Sequence, residues 1–303
     1  MFGAWCLNTS VIALVSARAA RDLDEDLPPL VAALRGAGAD VRVADWDDHS
    51  VDWKAFDVAL LRSTWDYSMR LVEFLEWSER ASRLTRLLNP LPVVCWNIDK
   101  HYLAQLARAA VPTVPSEFVE PGQDPGEALT RFHSQYQTPE LVVKPAVGSG
   151  SRDAQRHGRG DNPAINAHLT HLLDSGRSAL LQPYLDRVDD HGETALIYFA
   201  GRFSHAIRKG ALLRTGQNPM DELFAAETIE PRVPSDEELR VGELAVRAIP
   251  FGTLLYARVD LIRDESDAPR VLELELTEPS VFLRHAAGAA ERFAAAILGW
   301  KTP

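Results

Sequence analysis

Leu141-Val142-Val143-Lys144-Pro145 sets a lysine inside an apolar strand, and Gly148-Ser149-Gly150-Ser151 follows at once. An ammonium in such a strand needs a partner, because burying it alone is costly. One partner is a carboxylate in a structural ion pair, the usual case for a lone strand lysine. The other is an anion brought by a ligand. The glycine-serine loop shifts the balance to the anion. Glycines let backbone N–H groups come close to a phosphate, and serines add hydroxyl donors. The stretch lacks the Gly-x-x-x-x-Gly-Lys-Ser/Thr spacing of a P-loop and the Gly-x-Gly-x-x-Gly of dinucleotide folds. Arg152 and Arg156 either add charge over the phosphates or lie on a solvated face.

Further along, Val259-Asp260-Leu261-Ile262 and Leu272-Glu273-Leu274-Glu275-Leu276 are apolar strands with carboxylates set inside them. Residues two apart in a strand share a face, so Glu273 and Glu275 point the same way. Side by side they repel unless a cation or proton lies between them. Hard oxygen ligands suit Mg²⁺, which binds a few carboxylates together with substrate phosphates. An alternating surface strand is the competing explanation for Glu-x-Glu. Asp260 on a companion strand, with a phosphate cradle upstream, favours the metal.

Around these segments the chain alternates strand and helix. Val11–Ser16, Val41–Ala44, Val58–Leu61 and Val93–Trp96 read as strands. Helices are expected over Asp24–Leu34, over Leu71–Leu84 from its apolar periodicity, and from Asp99 onward. Such alternation implies parallel β-α-β units and an open sheet that takes ligands at the carboxyl ends of its strands. Arg62-Ser63-Thr64-Trp65-Asp66-Tyr67 lies at one such end. Ala179–Gln182 is a strand stopped by Pro183. Glu193–Lys209 is a hairpin turning at Ala200-Gly201. Ser235-x-x-Glu238 is a capping box for a helix running to about Ala248. Leu254–Ile262 and Val271–Leu276 are long strands, and His285–Leu298 is a closing helix. Ser151–Asn162, polar and rich in glycine and arginine, reads as a mobile loop.

The chain has 303 residues, which favours two or three subdomains. Its net charge of −11 disfavours nucleic acid and anionic membrane as partners. No window is long and apolar enough to span a bilayer. Asn8-Thr9-Ser10 and the lack of an early basic residue argue against a signal peptide before Ala17-Arg18-Ala19, and a cytoplasmic location is expected. Cys6 and Cys95 have no metal-ligand spacing and read as small buried apolar residues. His101, His191, His205 and His285 are scattered without zinc spacing.

The ordered set Trp96-Asn97-Ile98-Asp99-Lys100, Val142–Pro145, Gly148–Ser151, Leu181-Gln182-Pro183-Tyr184, Val259–Ile262 and Glu273-Leu274-Glu275-Leu276-Thr277-Glu278-Pro279 resembles that of ATP-grasp enzymes. The resemblance to bacterial glutathione synthetase and ribosomal-protein glutamate ligases covers roughly residues 95–285. Leu61–Tyr67 and Ile207-Arg208-Lys209-Gly210 look most like the cyclo-ligases that make D-cycloserine from O-ureido-D-serine. The fold implied is α/β, with an α+β nucleotide-binding half and an N-terminal open parallel-sheet domain. Its expected divisions are 1–97 on the substrate side, 98–184 with the phosphate loop, and 185–303 with the metal site.

The resemblance also implies roles. Lys100 and Lys144 would contact ATP phosphates, and Gly148, Ser149, Gly150 and Ser151 would close over them. Gln182 and Tyr184 would present backbone to the adenine, and Glu193 would take the ribose. Arg208 would face the transferred phosphate, with Arg208 and Lys144 the catalytic cations. Asp260, Glu273 and Glu275 would hold Mg²⁺, with Glu275 where the family often has Asn. Arg62, Ser63 and Trp65 are the expected substrate contacts, although core packing explains Trp65 equally well. The activity implied is ATP- and Mg²⁺-dependent carbon–nitrogen ligation of a small amino-acid-like substrate, through an acyl phosphate. An intermolecular amino-acid or peptide ligase shares every nucleotide residue, and a non-catalytic nucleotide-binding protein is the competing class. A homodimer is expected on base rate alone.

Overall fold

The computed structural model describes residues 10–213 and 228–300, so the expectation for Cys6 lies outside the described residues. The first sheet holds β1 (Val11–Ser16), β2 (Asp40–Asp45), β3 (Val58–Ser63) and β4 (Arg86–Leu88), in the order β2-β1-β3-β4 and all parallel. These are the apolar runs anticipated, with the short β4 added. α1 (Leu27–Gly36) starts with prolines in its first turn, and α2 covers Leu71–Leu84 as its periodicity requires. Val93–Trp96 is not a strand. It lies in α3 (Leu91–Asn97), which opens with Pro92 in the first turn. Its run of four apolar residues is too short for periodicity to separate strand from helix; Val93 and Val94 are buried and Trp96 packs against the core from its edge. α4 (Tyr102–Arg108) follows.

The second sheet holds β5 (Glu117–Val119), β6 (Glu140–Pro145), β7 (Gln155–Gly158) and β8 (Ala179–Pro183), in the order β5-β8-β6-β7 and antiparallel. α5 (Pro125–Gln135) and α6 (Asn162–Asp174) cover one face through Leu129, Phe132, Ile165 and Leu169. The expected mobile loop Ser151–Asn162 is a strand over Gln155–Gly158, because its polar side chains find partners. Arg156 pairs with Glu140, and Arg159 donates to the carbonyls of Tyr136, Thr138 and His133.

The third sheet comprises β9 (Glu193–Phe199), β10 (Arg202–Lys209), β11 (Ile229–Arg232), β12 (Tyr256–Arg263) and β13 (Pro269–Glu275), in the order β11-β10-β9-β12-β13. Its neighbouring strands are antiparallel. The short α7 (Arg187–His191) precedes it, and α8 (Asp236–Arg247) begins with the capping box, Ser235 and Glu238 bonding reciprocally. α9 (Ala289–Gly299) ends the described chain and begins four residues later than expected, after a turn at Leu283–His285. α9 does not stay with the third sheet. Phe293 and Ile297 share one core with Ile12, Leu14 and Leu30 of the first sheet and helix, and with Ile197 and Phe199 of β9. Burial of that size in one continuous cluster joins the first and third sheets firmly. Among the described residues no helix is long and apolar enough to cross a membrane.

Candidate active site

The edges of all three sheets face one cleft. Its walls include Trp65 from the first, Lys144 and Gln182 from the second, and Lys209, Asp260 and Glu273 from the third. Gly148, Ser149, Gly150 and Ser151 form part of its rim. Gly150 and Ser151 both take left-handed backbone, at φ 61° and 58°. Glycine bears that conformation without penalty and serine does not, so the loop stores some strain. Ser149 Oγ donates to the Trp65 carbonyl at 2.7 Å and lies 3.1 Å from Ser68 Oγ. The loop is therefore latched against the first sheet's loop.

Lys100 and Lys144 both reach the cleft but differ in company. Lys100 Nζ donates to the Gly148 carbonyl at 2.9 Å and lies 3.0 Å from Glu273. The Lys144 ammonium donates no hydrogen bond to, and makes no ion pair with, any described residue. Burial pulls its ammonium down to about 8, Glu273 opposes that shift, and Lys100 adds to it. The structural ion pair that would explain a strand lysine is thus missing among the described residues.

β12 and β13 carry the acidic wall. Asp260 stands directly opposite Glu273, and Arg258 directly opposite Glu275. Arg258 shares a face with Asp260, two residues away, and bridges it to Glu275. It donates to Asp260 at 2.8 and 2.9 Å and makes a short contact with Glu275. Lys209 Nζ lies 2.9 Å from Asp260 and 2.8 Å from Glu193. Burial would raise the Asp260 carboxyl, but Arg258 and Lys209 outweigh it and hold the group low. Burial raises Glu275, and the negative charges of Asp260 and Glu273 add to that against Arg258.

The three carboxylates therefore do not form a ready-made chelate. Among the described residues no three acidic, histidine or cysteine side chains converge on one point. Arg258 stands where the sequence suggested only acids. The donor chemistry nevertheless fits Mg²⁺: all oxygen, largely buried, and with Glu275 raised by neighbouring negative charge.

Gln182, Tyr184 and Glu193 line the cleft. Gln182 Nε2 donates to Ser116 Oγ at 2.9 Å. The Tyr184 ring lies under the Arg156 guanidinium, 3.5 Å from ring centre to Cζ, while its hydroxyl donates to Asp189. Arg156 is committed to Glu140 and Asp189 and does not line the cleft.

Three expected site residues are elsewhere. Arg208 is on the opposite face of β10 from Lys209, since side chains alternate along a strand. It donates to the carbonyls of His191 and Asp190, both at 2.9 Å. Gly192, at φ 74°, leaves room for this, because a Cβ there would sit 2.9 Å from Arg208 Nε. Lys209 takes the cleft position. Ser63 is fully buried, 2.7 Å from Ser16 Oγ. Arg62 is fully buried beside Asp26, whose carboxylate accepts the N–H groups of Val281, Phe282 and Leu283 at 2.6–3.0 Å. It joins the first sheet to the turn before α9. Arg62→Met is expected to cost about 3 kcal/mol of stability, seen in the denaturant midpoint, with the KM of the acid substrate unchanged in folded protein.

Trp65 serves both readings: it is 7% exposed, lines the cleft, and donates Nε1–H to the Glu278 carbonyl at 3.1 Å. Cys95 is exposed rather than buried, on the outward side of α3. His205 is buried, with its ring bonded to Ser204 and the Val281 carbonyl. Tyr67, Asn97, Lys209, Arg258 and Glu278 reach the cleft without having been singled out.

Comparisons with known proteins agree with this architecture. Residues 12–89 match the model for the N-terminal domain of D-cycloserine synthetase DcsG. The cycloserine biosynthesis protein DcsG of Streptomyces lavendulae is 40% identical over 296 residues, covering 95% of this chain and 97% of that protein. A crystal structure of D-cycloserine synthetase DcsG superposes with a TM-score of 0.88 at 39% identity, covering 95% of this chain and 98% of that one. The ATP-grasp ligase PsnB, solved with a phosphomimetic precursor variant, Mg and ADP, shares the fold at a TM-score of 0.63 and 21% identity, covering 96% of this chain and 98% of that one. On its identity and coverage, and on its three sheets around one cleft, the chain belongs to the D-cycloserine synthetase family of ATP-grasp ligases.

Proposed function

We propose that this protein closes the ring of O-ureido-D-serine to give D-cycloserine, using ATP and Mg²⁺ to activate the substrate carboxylate as an acyl phosphate. The observation that carries the reading is Lys144: a cleft ammonium with no partner among the described residues, beside a glycine-serine rim and facing an acidic wall. That is a place prepared for an anion on one side and a cation on the other.

A carboxylate is a poor electrophile because oxide cannot leave. Transfer of the γ-phosphoryl group creates an acyl phosphate, whose leaving group is phosphate. Lys144 and Lys100 neutralise phosphate oxygens during the transfer, the charge that must be met in the transition state. Asp260, Glu273 and Glu275 would hold Mg²⁺, which would supply further positive charge at the phosphates. Gln182 and Tyr184 line the adenine side, and Glu193 the ribose. The Gly148–Ser151 rim excludes water, which otherwise hydrolyses the acyl phosphate. The substrate's aminooxy nitrogen then attacks the acyl carbon and phosphate leaves; after ring closure, water cleaves the carbamoyl group from that nitrogen as carbamic acid, which falls apart to carbon dioxide and ammonia. Holding both ends of one molecule together makes this step effectively unimolecular. In this scheme the segment before residue 98 serves the substrate side, 98–184 the phosphates, and the remainder the metal.

The test is ADP release from ATP and Mg²⁺ with a panel of acids including O-ureido-D-serine, followed by mass analysis. ADP together with a cyclised product is the expected result. ADP that forms only when a separate amine is added overturns ring closure in favour of an intermolecular ligase. Nucleotide binding without any acid-dependent ADP overturns the catalytic reading.

A further inference from the structure

Among the described residues, five carboxylates line the cleft: Glu193, Asp260, Glu273, Glu275 and Glu278. The first four each have a cation at hand. Lys209 serves Glu193 and Asp260, Lys100 serves Glu273, and Arg258 serves Asp260 and Glu275. Glu278 has none. No hydrogen bond or ion pair from the described residues reaches its carboxylate, although the residue is only 9% exposed. Its backbone is held firmly, since its carbonyl accepts the Trp65 indole N–H. A buried carboxylate without a partner is costly, and such groups persist where a ligand completes them.

Its surroundings narrow the ligand. Trp65 belongs to the loop at the carboxyl edge of the first sheet, the side on which open parallel sheets take small molecules. Tyr67 lines the same cleft, and among charged groups Glu278 acts most strongly on its hydroxyl. One carboxylate in a cleft that Trp65 and Tyr67 also line suits an organic ammonium, which needs one counter-charge and tolerates ring faces. A lone carboxylate suits Mg²⁺ poorly, because that ion takes several oxygens together. Burial, reinforced by Glu275, holds the Glu278 carboxyl up at about 8, against the pull of Lys100. An arriving cation would relieve that.

We infer that Glu278 anchors the α-ammonium group of the substrate, so that the enzyme selects amino acids over acids lacking the amine. The inference rests on the proposed ligase reading, in which the substrate is an amino acid. It adds a specificity residue on the side of the cleft facing the first sheet. An ammonium held there fixes one end of the substrate, so that the carboxylate on the same carbon has a limited arc to sweep.

The experiment compares O-ureido-D-serine with its desamino counterpart, by calorimetric titration of the full chain in ADP and Mg²⁺. The wild type is expected to bind the amino acid about thirtyfold more tightly than the desamino acid. Glu278→Gln should bring that ratio close to one with ADP affinity unchanged, which also shows that the variant is folded. Glu278→Asp, which keeps the charge, should retain a preference for the amine. A ratio preserved in Glu278→Gln overturns the inference. So does a wild type that binds both probes equally or binds neither, and so does a Glu278→Gln variant whose Mg²⁺ requirement rises while the ratio stands. A ratio erased by Glu278→Gln in a wild type that releases no acid-dependent ADP leaves the anchor standing and removes the ligase reading alone.

Discussion

Lys144→Met is expected to lower kcat/KM for acid-dependent ADP release by about a thousandfold while leaving the melting temperature unchanged or slightly higher. The pairing of those two outcomes matters more than either alone. Had Lys144 been a structural ion-pair member, removing it would strand a buried carboxylate and destabilise the fold. No described side chain is hydrogen-bonded or ion-paired to it, so methionine of similar length replaces an unpaired ammonium with an apolar group. What is lost is a positive charge where phosphate oxygens gain negative charge. The shift to about 8 adds a pH signature. Below pH 8 the ammonium is already charged. Above it, the free protein has lost the proton that a bound nucleotide needs there. Binding then requires proton uptake, so nucleotide affinity should be flat below about pH 8 and fall above it. Calorimetry in buffers of different ionisation enthalpy would report the uptake, and Lys144→Met should abolish it. A variant that keeps wild-type turnover removes Lys144 from the phosphate site.

The strands that build the cleft were legible because each carries a polar residue in an apolar run that packing alone does not explain. Lys144, Asp260 and Glu273 announce themselves in this way. Periodicity also found α2 to the residue, and reciprocal capping found α8. The misreadings share a cause in which neighbour is faced. Arg208 and Lys209 are adjacent, both basic and both in β10, and sequence does not reveal which one the sheet turns inward. The hairpin register decides it, setting Lys209 opposite Glu193. Arg62 looked like a substrate cation because it ends a parallel strand. Its true partner, Asp26, is 36 residues away, before α1. Arg258 could have been found by the same alternation that paired Glu273 with Glu275, since it lies two residues from Asp260 on the same face. Glu278 lies beyond the last strand, in a turn, where alternation carries no information. Its significance comes from what fails to reach it, which only the packed structure reveals.

Glu273→Ala and Asp260→Asn should part company, although the two carboxylates face each other across one strand pair. Glu273 is 26% exposed at its side chain and has one ionic partner among the described residues, Lys100, which also holds the Gly148 carbonyl. Truncating it leaves Lys100 with a hydrogen bond and access to the cleft. Stability should hold within about 1 kcal/mol, while turnover falls by about a thousandfold or more if Mg²⁺ is lost from the phosphates. Asp260 is 1% exposed and joins Arg258 to Lys209. Neutralising it weakens both contacts inside the protein. Loss of one member of such a network costs about 3–5 kcal/mol, and the lower end applies because Lys209 keeps Glu193 and Arg258 keeps Glu275. Asp260→Asn should therefore lose stability and turnover together, and Glu273→Ala turnover alone. Chemical denaturation set beside ADP release separates the two. Equal destabilisation by both variants would mean that the acidic wall is held by its internal ion pairs and that Glu273 has no role reserved for a ligand. Retained turnover in Glu273→Ala would remove it from the metal site, leaving Asp260 and Glu275 to account for any Mg²⁺ dependence.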